Sequence, residues 1–420
     1  MDQKIFTVAI LGCGGRGADA YGSLINERKD RFKIVALCDM RQAWLDKSAE
    51  NFGVAKENLF LDERKFFKKK RADLLIVATP DDCHIRHALK GFKLGYDLMI
   101  EKPLSDKISD CKKLLKAQKK YGGKALVCHV LRYAPAFVKA KEILASGEIG
   151  ELVSIEALER VGISHYTHSY NRGNWRNSKV AAPLILAKCC HDLDLLQYYA
   201  NSKCKTISSV GDLRLFKAEN RPDYATDRCL DCPKAGTCPY SAKVNYLNRF
   251  EDAGKPEDVW PFNVVAVAPV TKEKLETALR EGPYGRCVFA SDNDVVDHQL
   301  TLMTFENGVK ASLNMNSFTA NGGRRINFFC TKGELILDED QKCLLLKKFG
   351  KESETIPMST LVEKGYGHGG GDAGLINKLY DILSGNAEAD TTLEASVESH
   401  LMGVRAEESR LKNGKLLTVH

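Results

Sequence analysis

The sequence predicts two domains in series. Residues 1–125 read as a doubly wound parallel α/β sheet, and residues 126–420 as an α+β domain on a large, mostly antiparallel sheet. Three observations predict this: apolar runs alternate with helical segments in the first part, hairpin-spaced strands replace that rhythm afterwards, and a glycine-rich turn joins the first strand to the first helix.

Residues 7–11, 32–38, 73–78, 96–100 and 124–128 are short apolar runs with strand character. Residues 19–27, 41–51, 82–94 and 108–121 between them have helical length and charge pattern, so the strands are parallel and linked by crossover helices. Strands are then expected at 152–161, 206–216, 298–305, 309–316, 325–330, 334–337 and 342–349, with tight turns at Glu306-Asn307-Gly308 and Thr331-Lys332-Gly333. One strongly apolar helix, 183–199, interrupts them, helices at 373–383 and 393–413 close the chain, and 217–283 reads as an irregular insertion.

A 44% hydrophobic fraction suffices for packed cores and excludes dominant disorder. The net charge of +7 is a mild excess over 420 residues. Its densest patch, 64–71, precedes an apolar strand and reads as the solvated face of a short helix, so no nucleic-acid partner is expected. No apolar run approaches the roughly 20 residues of a membrane helix. No apolar signal core precedes the first strand, which makes the cytoplasm the expected compartment. Most of the 14 cysteines are scattered through strands and helices, as buried reduced thiols would be.

Gly12-Cys13-Gly14-Gly15-Arg16-Gly17 ends a strand and opens a helix, and the second strand ends at Asp39. This is the context a dinucleotide fingerprint requires. Gly12 permits a tight turn, Gly14 close approach of backbone to a pyrophosphate, and Gly17 close helix packing, with Gly15 and Arg16 between them at the helix N-terminus. Asp39 is placed to accept hydrogen bonds from the adenosine ribose and to repel a 2′-phosphate, which favours NAD over NADP. Arg41, two residues on, partly offsets that repulsion.

The fourth strand ends in Ile100-Glu101-Lys102-Pro103, and groups at the carboxyl ends of such strands face the ligand crevice. With Ala78-Thr79-Pro80-Asp81-Asp82-Cys83-His84, the stretch Gly95 to Pro103, and Arg132-Tyr133-Ala134-Pro135, residues 5–160 closely resemble the Gfo/Idh/MocA family, which includes glucose-fructose oxidoreductase and inositol dehydrogenase. The resemblance implies a Rossmann domain followed by an open-faced sheet domain, a nicotinamide cofactor between them, and sugars, cyclitols or related polyols as substrates. It implies that Lys102 is catalytic, that Thr79, Pro80 and His84 lie along the cofactor, and that Glu101 helps hold the nicotinamide end. It also implies a catalytic histidine on the 183–199 helix. His191 and Asp194 match that pattern, while Ala187 stands where the family usually has an aspartate.

Lys188 lies three residues before His191 and four before Asp192, so one helix is expected to present all three on a common face. Lys188 is then a second cation near Lys102, His191 the general acid/base, and Lys102 its electrostatic partner, with the reverse assignment open. The run from His165 to Asn177 is dense in aromatic and hydrogen-bonding residues, as a polyhydroxylated ring requires. Candidate substrate contacts are Arg132, Tyr133, His165, Tyr166, Trp175, Arg176, Asp192 and His368, with Asp372 a candidate N-cap of the following helix.

In the insertion, Cys229, Cys232 and Cys238 have C-x2-C-x5-C spacing, half of a metal-binding pattern; they read either as free or redox-labile thiols or as ligands of a structural zinc, for which Cys287 is the nearest remote candidate for the fourth position. The expected function is an NAD-dependent oxidoreductase acting at a secondary hydroxyl of a sugar, glycoside or cyclitol. The alternative is an NAD-dependent glycosidase or lyase working through transient 3-keto oxidation and elimination without net redox change. By resemblance, a homodimer or homotetramer is expected.

Overall fold

The computed structural model describes residues 4–179, 181–361 and 367–420. Six parallel strands form the first sheet: β1 (Phe6–Leu11), β2 (Phe32–Cys38), β3 (Leu59–Phe60), β4 (Leu74–Val77), β5 (Asp97–Ile100) and β6 (Ala125–Val127), in the order β3-β2-β1-β4-β5-β6. The order reverses between β1 and β4, and a doubly wound sheet opens its ligand crevice there. The two-residue β3 escapes the sequence pattern because it is too short to carry a period.

The second sheet has nine strands: β7 (Leu152–Arg160), β8 (Cys204–Asp212), β9 (His298–Phe305), β10 (Lys310–Asn316), β11 (Gly323–Cys330), β12 (Gly333–Asp338), β13 (Cys343–Lys348), β14 (Glu354–Pro357) and β15 (Leu417–Thr418). Their order is β14-β13-β12-β11-β7-β10-β9-β8-β15, antiparallel throughout except where β7 pairs with β10. Along β7 the residues Ile155, Ala157 and Glu159 alternate onto the buried face.

One late helix returns to the first sheet, while the last, Leu393–Leu411, lies on β8. Gly371–Ser384 buries Leu375, Ile376 and Leu379 in one cluster with Phe6, Val8, Ile34 and Leu74, contributing about 1.5–3 kcal/mol per side chain. The backbone N–H of Val127 donates to Thr391 O at 3.1 Å, and Leu126 forms a bridge with Thr392.

The expected helix over 183–199 is two helices, Leu184–Ala187 and Cys190–Ala200, broken at Lys188 and Cys189. The insertion folds into short helical segments, of which Lys272–Glu281 is the longest. Its own core is made of Tyr246, Leu247, Phe250, Phe262, Leu275 and Leu279.

Candidate active site

The glycine turn is as tight as its sequence demands. Gly12 has φ +96°, and a Cβ there would lie 2.3 Å from Ala78 O; one at Gly17 would lie 1.9 Å from Gly12 O. A Cβ at Gly14 would meet the Trp44 ring at 2.8 Å, whereas Gly15 faces open space. A π-helical segment, Gly15–Gly22, follows. Asp39, at the end of β2, is buried and accepts from the backbone N–H of Cys13 (2.8 Å) and of Arg41 (2.9 Å). Its carboxylate is thus fixed against the turn. The Arg41 guanidinium stacks 3.7 Å over Trp44 and lies 3.3 Å from Asp39 Oδ1.

Arg16 was expected at the cofactor but is tied to protein carboxylates. Nε donates to Glu101 Oε1 (2.9 Å), while Nη2 and Nη1 donate to Asp372 Oδ1 (2.7 Å) and Oδ2 (3.1 Å). Glu101 also accepts from Tyr21 Oη (2.6 Å) and its Oε2 from Lys102 N (2.9 Å). Burial alone would raise the Glu101 pKa, but Arg16, Lys102 and Tyr21 bring it below the ordinary value. Thr79 and Pro80 follow β4 at the crevice. His84, buried behind them, contacts Thr79 O and Pro103 O, each at 2.7 Å, and so ties the end of β4 to the Lys102–Pro103 segment.

Lys102 precedes a cis proline, and its Nζ lies 3.4 Å from Ala187 O, at the break between the two short helices. His191, one turn further, is buried, and its Nδ1 has no partner among the described residues. Burial first, then the charge of Lys102, drives its pKa well below the ordinary value, so the imidazole is neutral. The His191 ring stands 6.2 Å from His368 and 5.8 Å from His129, whose ring nitrogens both lack a hydrogen-bond partner among the described residues, Asp194 Oδ1 lying 3.9 Å from Nε2.

Lys188 does not share a face with His191. The break turns it to Glu159 on β7, at 3.2 Å, and Glu159 is also paired to Arg324 at 2.9 Å. Asp192 is likewise withdrawn from substrate, its carboxylate held by Arg324 Nε at 2.7 Å and Nη2 at 3.3 Å. The helical i, i+3 spacing failed here because the turn at Lys188 (φ −107°) is not continuous with the next helix.

Three further candidate substrate residues are spent inside the fold. Arg132 makes a bidentate pair with Asp194, Nε to Oδ2 and Nη2 to Oδ1, both at 2.7 Å. Tyr133 Oη bonds Thr391 Oγ1 at 3.1 Å. Tyr166 is fully buried, stacked 5.4 Å from Phe216 with its hydroxyl donating to Val295 O. Arg176 reaches outward to Asp292 at 2.7 Å. His165 and Trp175 stand nearer Lys102. The His165 pKa is pushed down to about 3 by burial, with Lys188 and Lys102 adding to it, and Trp175 Nε1 donates to Asp81 Oδ2 at 3.0 Å. His368 is part-exposed and contacts Asp372 Oδ2 at 3.0 Å. Asp372 is not an N-cap: it sits inside the first turn and serves Arg16 and His368.

A sequence profile described as an oxidoreductase family with an NAD-binding Rossmann fold matches residues 6–129, and the GFO/IDH/MocA C-terminal domain matches residues 137–228, together just over half the chain. The chain belongs to the Gfo/Idh/MocA oxidoreductase family. YteT of Bacillus subtilis, which carries an oxidoreductase name, is 25% identical over 77% of this chain and 78% of its own length. The inositol 2-dehydrogenase of Salmonella typhimurium is 27% identical over 47% of this chain and 55% of its own. In fold, levoglucosan dehydrogenase solved with NADH and levoglucosan superposes with a TM-score of 0.72 at 16% identity, over 99% of this chain and 100% of that one.

As a Gfo/Idh/MocA protein the chain is an oxidoreductase with an NAD-binding domain. Among the described residues no helix is long and apolar enough to cross a membrane. Glu159, Arg324, Asp81 and His129 escaped sequence reading. Glu159 carried one usable signal, an acidic residue on the buried register of a strand. Arg324 lies 132 positions from its partner Asp192, beyond any local pattern. In the insertion Cys229, Cys232, Cys238 and Cys287 line one cavity, but no three of their sulfurs lie within 4.8 Å of one another, wider than a closed tetrahedral zinc site.

Proposed function

We propose that this protein is an NAD-linked dehydrogenase that moves hydride at a secondary carbinol of a sugar, glycoside or cyclitol. The observation that carries the reading is the convergence of Lys102 and the neutral, unpartnered His191 beside a glycine turn with Asp39 fixed against it. NAD, when bound, accepts or returns the hydride. The tight turn at Gly12, Gly14 and Gly17 with the open Gly15 would hold its pyrophosphate at the helix start, Asp39 would take the ribose hydroxyls, and Glu101 with Thr79 and Pro80 would flank the nicotinamide end.

Oxidation of a carbinol requires removal of the hydroxyl proton and positive potential at the developing alkoxide. His191 Nδ1 has a free acceptor position for that proton, and Lys102 supplies the potential. His368, half in solvent and backed by Asp372, stands on the side from which the proton can leave. His165 and Trp175 furnish the wall for the substrate ring. NAD is preferred over NADP because the Asp39 carboxylate, fixed against the turn, would repel a 2′-phosphate, although the Arg41–Trp44 stack softens the preference. The exposed apolar residues Val153, Val210, Leu300, Leu302 and Phe329 on the open face of the nine-stranded sheet support a homodimer or homotetramer, and the reduced cysteines fit a cytoplasmic protein.

The test is a panel of sugars, cyclitols and glycosides followed by absorbance of reduced nicotinamide and by release of aglycone. NADH formation that falls by about 10²–10⁴ in Lys102→Ala is the expected result. Aglycone release without net NADH would replace the dehydrogenase reading with redox-neutral elimination.

A further inference from the structure

The insertion between β8 and β9 holds a cluster that the dehydrogenase reading does not use. The Cys229–Cys232 turn is closed by Cys232 N–H to Cys229 O (3.3 Å). Beside it, Arg228 forms an antiparallel bridge with Arg286, and Cys287 N–H donates to Asp227 O at 2.8 Å, so two cysteine-bearing turns lie side by side. Cys238 enters from the next turn, its N–H on Lys234 O at 2.9 Å. All four cysteines line one cavity of about 30 Å³, together with Arg172 and residues that include Ala225, Ala235, Val288 and Phe289.

Arg172 decides what such a cavity is for. Its side chain is among the largest that are fully buried, and among the described residues its hydrogen-bond partners are two carbonyl oxygens and one sulfur, with no carboxylate. Nε donates to Arg286 O (2.7 Å), Nη2 to Tyr240 O (2.7 Å) and to Cys229 Sγ (3.4 Å), while Nη1 has no partner. A buried guanidinium without a counter-charge is costly, and buried charges are ordinarily paired. The backbone N–H groups of Tyr240 and Phe289, each two residues beyond a cysteine, are directed at the sulfurs of Cys238 and Cys287. Three of the four sulfurs therefore face N–H donors, as the outer shell of a metal-bound cysteine does.

We propose that Cys229, Cys232, Cys238 and Cys287 hold one thiophilic divalent cation of the zinc class as a tetrathiolate, and that buried Arg172 is the counter-charge of this centre. Four thiolates around a dication carry a net charge of −2, which supplies the anionic partner that Arg172 lacks. At Zn–S of about 2.3 Å the sulfurs stand about 3.8 Å apart, and the half-exposed Cys232 and Cys238 have the freedom to close that distance. Each ligand gives up its proton to solvent as it binds the metal, and no redox step is involved. The centre would fix the Tyr166–Arg172 segment, and with it the His165 wall of the candidate active site. The inference stands whether or not the dehydrogenase reading holds.

The test uses the full chain, grown with zinc and purified anaerobically under reducing conditions. Metal content is measured by mass spectrometry, and the cobalt(II)-exchanged protein by its thiolate-to-metal absorption. About one equivalent of zinc per chain and a tetrahedral tetrathiolate cobalt spectrum are expected. Cys229→Ser/Cys238→Ser should lose the metal, Cys343→Ser should keep it, and Arg172→Leu should weaken affinity by about 10–100-fold. Should the double variant fail to fold, the wild-type cobalt spectrum still decides. Less than a tenth of an equivalent after zinc addition, a disulfide within the cluster, or iron with acid-labile sulfide would each overturn the proposal. Unchanged affinity in Arg172→Leu would remove Arg172 from it.

Discussion

Replacing Arg132 by methionine separates a brace from a substrate ligand. In the structure its guanidinium holds Asp194 through two 2.7 Å bonds and donates from Nη1 to Asp390 O at 2.8 Å, with the Asp194 side chain about 1% exposed. Methionine keeps the volume and strands the carboxylate. Removing one partner of a buried pair costs about 3–5 kcal/mol. At about 2.1 cal/mol/K per residue, the 420 residues unfold with an entropy near 0.9 kcal/mol/K, so a single cooperative transition should drop by about 3–6 °C. Burial already raises the Asp194 pKa against the pull of Arg132. Without Arg132 it rises further, so the loss relative to wild type opens as pH climbs past the wild type's own raised Asp194 pKa, and the loss of Tm should be larger at pH 8 than at pH 5. Thermal unfolding followed by circular dichroism reads this, and Arg132→Met/Asp194→Leu should recover much of the loss. A Tm within 1 °C of wild type together with a tenfold rise in KM would refute the brace and return Arg132 to the substrate site.

Gly17→Ala would place a Cβ 1.9 Å from Gly12 O, so the turn must open, and NADH binding followed by fluorescence should weaken by at least about tenfold while circular dichroism stays native; unchanged affinity would count against the turn as the pyrophosphate site. Asp372 is depressed below the ordinary carboxylate range because hydrogen bonds from His368 and Arg16 outweigh the opposing effect of burial. Its stabilising contribution is therefore present above about pH 3.9 and lost as pH falls below it, so the Tm gap between wild type and Asp372→Asn should be widest near pH 7 and shrink toward pH 3. A gap independent of pH would show that the Asp372 charge is not what holds Arg16.

The doubly wound half was legible because its determinants are local. Period and length mark the strands, and the glycine turn with Asp39 is specified by backbone sterics within 40 residues. Lys102 was legible for the same reason, being fixed at a strand end by the following proline. The substrate side was legible only in part. A dense polar segment announced itself, but Tyr166 went to the core, Arg176 to the surface, and Arg132 and Asp192 to buried partners.

By itself the sequence determined which segments become strands and helices, where a dinucleotide can sit, and that three cysteines fall in one insertion with a fourth, Cys287, just beyond it. Only the tertiary structure decided which groups meet: Lys188 with Glu159, Asp192 with Arg324, Arg16 with Glu101 and Asp372, and Arg172 with Cys229. Backbone propensity acts over a few residues. A buried charge must instead find a partner wherever the packed chain brings one, from 29 positions away for Lys188 and Glu159 to 356 for Arg16 and Asp372.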